Sequence, residues 1–308
     1  MGPISGATCT VSFGFPSAVG SVVEYSIVSE NVGPNGITSG PDGNIWFTEN
    51  NGHNIGQTTP WGWITEFPIP TVTATTSGTT TGPDGNIWFL EKGSANNIGR
   101  LEIAPNSVTE YPIPSGIGQQ IATGPDRRVW FTEVSAQKIG AVYSNGFIQE
   151  YSLAAGHYPS GIVGGPDGNM WFTDNGGTDI GRMTPSGVAT YFGITNYADT
   201  ITVGVDGNLW FTESYYLGKM TTAGTLTQYS APAPATWNII PGNDGALWFF
   251  ENGSGPSGPA STLGSMTTSG VSAATVSAGA LGVSATFGSD GNLWVTESSV
   301  NKIARITP

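Results

Sequence analysis

A ten-residue phrase recurs seven times in this chain of 308 residues. It reads GPDGNIWFTE at 40–49, GPDGNIWFLE at 82–91, GPDRRVWFTE at 124–133, GPDGNMWFTD at 165–174, GVDGNLWFTE at 204–213, GNDGALWFFE at 242–251 and GSDGNLWVTE at 288–297. Its tryptophans, Trp46, Trp88, Trp130, Trp171, Trp210, Trp248 and Trp294, stand 42, 42, 41, 39, 38 and 46 residues apart. A repeat of that period with strand-like content predicts a β-propeller, each repeat being one four-stranded blade.

The first repeat shows the unit. Residues 37–40 read as a first strand, Pro41-Asp42-Gly43-Asn44 as the turn of a tight hairpin, and 45–49 as the second strand. A loop at 50–54 leads to a third strand opening at Ile55-Gly56, and a turn at 60–62 to a fourth at 64–68. That last segment, ITEFP, returns as VTEYP at 108–112 and IQEYS at 148–152. The seventh repeat stops at Pro308 before any fourth strand, while VVEYSI at 22–27 carries the matching pattern ahead of the first repeat. The expected fold is therefore all-β: a seven-bladed propeller of four-stranded antiparallel blades forming one domain over 1–308. After an N-terminal extension at 1–20, a strand within 21–28 completes the last blade and closes the ring.

Glycine (46) and proline (21) together exceed a fifth of the chain, but they fall in phase with the repeat and read as turns. Charged residues make up 10 %, with nine Lys+Arg against 22 Asp+Glu and a net charge of −13. Nucleic acid is excluded as a partner, since phosphate binding needs a basic stripe. No apolar run reaches the ~20 residues that span a bilayer, so no membrane partner is expected. The start, MGPISGATCT, has neither the basic nor the apolar segment of a signal peptide. The Lys-poor polar surface and the Asn252-Gly253-Ser254 sequon nevertheless suit a secreted or extracytoplasmic protein. Cys9 is alone, which rules out an intrachain disulfide and a cysteine metal site. A monomer is expected.

The unit GPDGxxWFTE…IGR(I/M)T…G…TEY, over essentially the whole chain, resembles the virginiamycin B lyase, or streptogramin lyase, family. The resemblance implies the propeller fold and an activity that opens a cyclic depsipeptide at its ester by elimination, with magnesium and a histidine base. It also implies where those residues stand: just before the first strand of particular blades, in segments of the form P-H-G-I or P-Y-G-I, with an acid in the last blade.

Counting eleven residues back from each repeat tryptophan gives Asn35, Ser77, Gln119, Ser160, Asp199, Trp237 and Val283. These positions are expected to ring the mouth of the axial channel, and none is histidine. Where the family places its histidines, in the last two blades, this chain has Trp237 and either Val283 or Leu281. Asn35 replaces the first-blade tyrosine, and the acid preceding the last histidine falls at Gly279 or Leu281. The acid after the last tryptophan, Glu297, persists as the one metal-ligand candidate. General-base elimination needs a group that accepts a proton near neutral pH, and this mouth lacks the family's. The two histidines of the chain are His53, in NNGHNIG, read as a solvated loop residue, and His157, three residues before Ser160 and within reach of the rim.

Glu49, Glu91, Glu133, Asp174, Glu213, Glu251 and Glu297 close the second strands and form a ring on the mouth face. They serve either every blade alike, as acceptors for turn N–H groups, or an anionic mouth that attracts magnesium or calcium. Asp42 and its six counterparts lie in the opposite hairpin turns and read as turn chemistry. Trp61 and Trp63, at the outer turn of blade one, read as blade packing or as an exposed carbohydrate platform.

Function is expected where the repeat breaks. From the tryptophan to the apolar residue of the next strand, five blades count nine or ten residues, blade five seven and blade six fifteen. The short loop carries Tyr215 and Tyr216, and the long one, 252–262, reads NGSGPSGPAST. With Tyr197, Asp199, Trp237 and Asn238 nearby, these segments predict an off-axis pocket under a lid, suited to a small organic ligand. In this pocket Asp199 or Gln119 polarises the ligand, and the tyrosines, Trp237, Asn238, Asn35, Ser160 and His157 hold it. Three functions follow. One is a natural-product cyclisation, cycloaddition or isomerisation by pocket shape, with no required cofactor. The others are a non-catalytic secreted propeller that binds a sugar, peptide or protein, and a metal-dependent lyase with a relocated base.

Overall fold

A computed structural model describes residues 20–93, 96–231, 235–253, 260–277 and 282–308, and of 235–237, 252–253, 260–261 and 273–277 the backbone alone. The expected extension, Cys9 included, lies outside the described residues except for Gly20, whose N–H donates to the Thr307 carbonyl at 2.7 Å. Among the described residues the strands form seven four-stranded antiparallel sheets, each in simple up-and-down order apart from the last. That sheet runs from Ser284–Phe287 through Leu293–Glu297 and Lys302–Ile306 to the N-terminal strand Val22–Ser26. Val22 pairs with Ile306 and Ser26 with Lys302, so the chain start closes the last blade as expected. No described helix is long and apolar enough to cross a membrane.

The repeated phrase owes its composition to its turn and its core. In each copy the aspartate carboxylate accepts the indole N–H four residues on, at 3.1 Å for Asp42 and Trp46 and 3.0 Å for Asp126 and Trp130. The same carboxylate also takes backbone N–H groups of the turn, such as that of Asn44 at 3.2 Å. The aspartate ring is thus turn chemistry with a second role, because it satisfies a buried indole donor that would otherwise cost its desolvation. The glycine opening the phrase leaves room for that indole, since a Cβ on Gly124 would lie 2.6 Å from the Trp130 ring.

Seven hydrophobic clusters lie between neighbouring blades. Each joins the tryptophan of one repeat to the residue after the tryptophan of the next, as in Trp46 with Phe89 and Trp130 with Phe172. Burying one such phenylalanine contributes about 1.5–3 kcal/mol, so the repeat is glued blade to blade and no blade owns a core. The cluster that crosses the closure unites Trp294 and Ile303 with Ile37 and Phe47. Outside these clusters, Trp61 and Trp63 are 78 % and 74 % exposed, which overturns the packing alternative for that turn.

The described ends of the blade-six insertion belong to a hairpin. Residues Ala246–Gly253 and Ala260–Thr267 continue the hairpin ladder as far as the Gly253 and Ala260 pair, and 254–259 lie outside the described residues. Backbone pairing of the inserted residues satisfies their N–H and C=O groups directly. Blade five does the opposite, turning from Leu209–Glu213 to Tyr216–Met220 through Ser214 and Tyr215, with Ser214 at a φ of 45°.

Candidate functional site

In four of the seven blades the first strand contains an irregularity, and that irregularity helps to build the mouth. In blades one, two and four the ladder shifts register between Pro34 and Ile37, Thr76 and Thr79, and Pro159 and Ile162. The bulges contain Asn35-Gly36, Ser77-Gly78 and Ser160-Gly161, so these three mouth residues sit where a bulge re-aims a side chain. The glycine that follows permits close approach of the next blade. A Cβ on Gly36 would meet the Thr79 nitrogen at 2.9 Å, and one on Gly161 the Asp199 carbonyl at 2.8 Å.

The threonine of WFTE fixes these loops. Thr173 Oγ1 accepts the Gly161 N–H at 2.8 Å and donates to the Asp199 carbonyl of the next blade at 2.8 Å. Thr132 does the same for Gln120 N–H, at 3.1 Å, and the Ser160 carbonyl, at 2.7 Å, and Thr296 for Ser284 and Asn35. One buried hydroxyl thus ties the mouth residues of two adjacent blades. Blades two and six carry Leu90 and Phe250 at this position and lack the tie.

The mouth encloses an axial cavity of about 610 Å³ with lining residues from all seven blades. Asn35, Ser77, Gln119, Ser160, Asp199 and Val283 line it, as the eleven-residue count predicts, and Asn238 joins them. Asn238 has a left-handed φ of 51° and donates from Nδ2 to Ser284 Oγ at 2.8 Å. Trp237 pairs through its backbone with Phe250, and its side chain lies outside the described residues, as do Gly279 and Leu281. Desolvation by the surrounding mouth loops holds the Asp199 carboxyl above the usual carboxylate range, although the residue stays open to solvent at the mouth. The enclosed volume lies on the axis, whereas the expected pocket was off it. Tyr197, Tyr215 and Tyr216 stand outside the lining, 64 %, 63 % and 40 % exposed.

His157 does not reach the cavity. Its Nδ1 bonds to the Asp174 carboxylate and its ring stacks on Tyr191, with centroids 3.7 Å apart and planes 10° apart. The reason is a substitution in the repeat. In blades one to three a glutamate of the fourth strand clamps a hydroxyl residue of the incoming link: Glu66 with Ser29, Glu110 with Thr71 and Glu150 with Ser115. Blade four has Tyr191 in that register, opposite Gly181 as Glu66 is opposite Gly56, and His157 closes the clamp instead. His157, Asp174 and Asp179 bring their ligand atoms within 4.8 Å of one another, the one such His/Asp/Glu group among the described residues. Two backbone N–H groups, of Tyr158 at 2.6 Å and Gly176 at 2.9 Å, occupy Asp174 Oδ1 as well. His53, the other histidine, bonds through Nδ1 to the Ala74 carbonyl at 2.7 Å.

The acids that close the second strands are buried and do not line the cavity. Glu49 and Glu91 each take a side-chain amide, from Asn54 and Asn97, at 2.9 Å. Burial pushes Glu49, Glu91 and Glu133 up to about 7, helped by the neighbouring Glu66, Glu110 and Glu150. Glu297 belongs to this buried set and is not a cavity residue, so a magnesium ion held through it would lie off the mouth. The one carboxylate on the cavity lining among the described residues is Asp199.

Among the lining residues that sequence reasoning missed, one is charged. Lys92 follows the acid of blade two, where the other blades have Asn50, Val134, Asn175, Ser214, Asn252 and Ser298, and it is the only cation on the described lining. Its Nζ donates to Gln119 Oε1 at 3.1 Å, and burial lowers its pKa. A lysine out of phase with six small or neutral counterparts was the available signal.

The virginiamycin B lyase family model matches residues 12–118, 108–200 and 194–308. Among solved structures the chain is similar to a streptogramin B lyase, at 32 % identity and a TM-score of 0.83 over 92 % of this chain and 96 % of that one. Virginiamycin B lyase from Staphylococcus aureus gives 32 % identity and a TM-score of 0.84 over 94 % of this chain and 99 % of that one. A catalytically inactive histidine-to-alanine variant of the Staphylococcus aureus enzyme, solved with quinupristin, superposes with a TM-score of 0.83 at 32 % identity, over 94 % of this chain and 99 % of that one. No curated protein matches the chain. The blade phrase, the closed ring and these matches along the chain agree: this protein belongs to the virginiamycin B lyase family.

Proposed function

We propose that the axial cavity binds a small organic, natural-product-like ligand and rearranges it by cyclisation, cycloaddition or isomerisation without a histidine base. The observation that carries this is the convergence of mouth residues from seven blades on one cavity that contains a single carboxyl, Asp199, and no histidine among the described lining. Its volume of about 610 Å³ is in the range of small-molecule sites. Its wall of amides and hydroxyls orients a polar ligand, and holding a near-attack conformer lowers the barrier to an intramolecular rearrangement. Asp199, the one carboxyl on the described lining, is placed to polarise the ligand through orientation and electrostatics. The Lys-poor, acidic composition supports action outside the cytoplasm.

Incubation with quinupristin and with a panel of linear peptide-derived and polyene natural products tests this, followed by chromatography and mass spectrometry. The expected outcome is intact quinupristin and, for a panel member, a product of unchanged mass that Asp199→Asn no longer forms. Opening of quinupristin that a chelator abolishes would overturn it in favour of a lyase with a relocated base.

A further inference from the structure

Lys92 and Asp199 are the two charged side chains on the cavity lining, and among the described residues neither has an ion-pair partner. They belong to blades two and five, three steps apart, which is the greatest separation a seven-membered ring allows. An ammonium group only donates, so the Gln119 oxygen must face Lys92 and its amide NH₂ must turn away. Two N–H groups of Lys92 remain beyond the one that Gln119 accepts. This pole of the cavity therefore offers only donors, and the Asp199 pole offers a carboxyl with no hydrogen bond from a described residue. Between them the lining is amide and hydroxyl: Asn35, Ser77, Ser160 and Asn238.

We propose that this cavity selects a linear, peptide-like ligand with a free carboxylate, which Lys92 and Gln119 clamp, and an amine or hydroxyl at its other end, which donates to Asp199. The proposal rests on the cavity being the ligand site. An ammonium on the wall of this cavity, without an ion-pair partner among the described residues of a chain with a net charge of −13, is held at a desolvation cost that a ligand carboxylate offsets. The intervening amides and hydroxyls match the donors and acceptors of peptide groups. The same polarity rejects ligands of one charge sign, because each leaves one pole unpaired.

Titration calorimetry of the full chain with oligo-alanines of two to five residues tests the proposal, using peptides free at both ends, N-acetylated, or C-amidated. The expected result is one best length, with about a tenfold loss on capping either end, the scale of one charge-assisted hydrogen bond. Lys92→Met should abolish the penalty for C-amidation and leave that for N-acetylation, and Asp199→Asn should do the reverse. Circular dichroism confirms that both variants are folded. If doubly capped peptides or quinupristin bind in the cavity as tightly as free peptides do, the charge selection is wrong and the cavity remains the ligand site. If no probe binds and none shifts the amide signals of Asn35 or Ser160, both proposals fall together.

Discussion

In blade seven Val295 faces Ala304 across the ladder, whereas the other six blades set a phenylalanine against a glycine. The glycines are steric necessities, since a Cβ on Gly56 would lie 2.1 Å from Phe47 and one on Gly140 2.0 Å from Phe131. The smaller valine admits the alanine, and Phe250 of blade six, where five of the other six repeats have threonine, packs into the same cluster and restores the volume.

Val295→Phe should therefore cost about 1–3 kcal/mol by overpacking against Ala304. Adding Ala304→Gly to it should recover at least half of that loss, a coupling that a double-mutant cycle in urea measures. Additive losses would show that the pair is independent.

Stability should peak on the acid side of neutrality. Glu49, Glu91 and Glu133 titrate at about 7 in the native chain against 4.5 unfolded, so the native state holds protons the unfolded chain has released between those values. Stability then falls as pH rises through that window, by an upper bound of about 3 kcal/mol for each group. Asp84, Asp167, Asp206 and Glu150 are shifted downward by their hydrogen-bond partners, and their contribution is lost as pH falls toward their lowered values. Thermal denaturation should give its highest midpoint at about pH 5 and a lower one at pH 8, and a midpoint that rises from pH 5 to 8 would contradict the burial of these acids.

Thr173→Val should damage both the fold and the mouth. It removes an acceptor from Gly161 and a donor from the Asp199 carbonyl, at about 1–3 kcal/mol for the buried groups left unpaired. Because Asp199 is displaced with the loop, affinity for a cavity ligand should fall as well, whereas Thr48→Val, in a blade remote from Asp199, should cost stability with a smaller effect on binding.

His157→Ala should lower the unfolding free energy by about 1–3 kcal/mol through loss of the Asp174 bond and the Tyr191 stack. Binding in the axial cavity should be unchanged. A loss of binding without a loss of stability would return His157 to the rim that its sequence position suggests.

Most of the fold is legible from the repeat. Asp42 and Trp46, four residues apart, already contain the turn and its indole hydrogen bond, and the fourth-strand pattern at 22–27 already contains the closure. The mouth positions are legible too, because counting back from each tryptophan is a count within one hairpin. His157 misleads because its partner, Tyr191, is recognisable only when the fourth strands are set in register against Glu66.

Local hydrogen bonding and side-chain period set strands, turns and register within some 40 residues of chain, and the sequence by itself determines all of these, together with the absence of the family's histidines from the counted positions. Ring closure decided what the counts along the chain could not. It brought Lys92 and Asp199, 107 positions apart in sequence, onto one cavity, and it turned the buried acids away from that cavity. The physical reason is that a propeller core lies between blades. Which side chains share solvent, and which share a low-dielectric interior, is fixed only when neighbouring repeats pack.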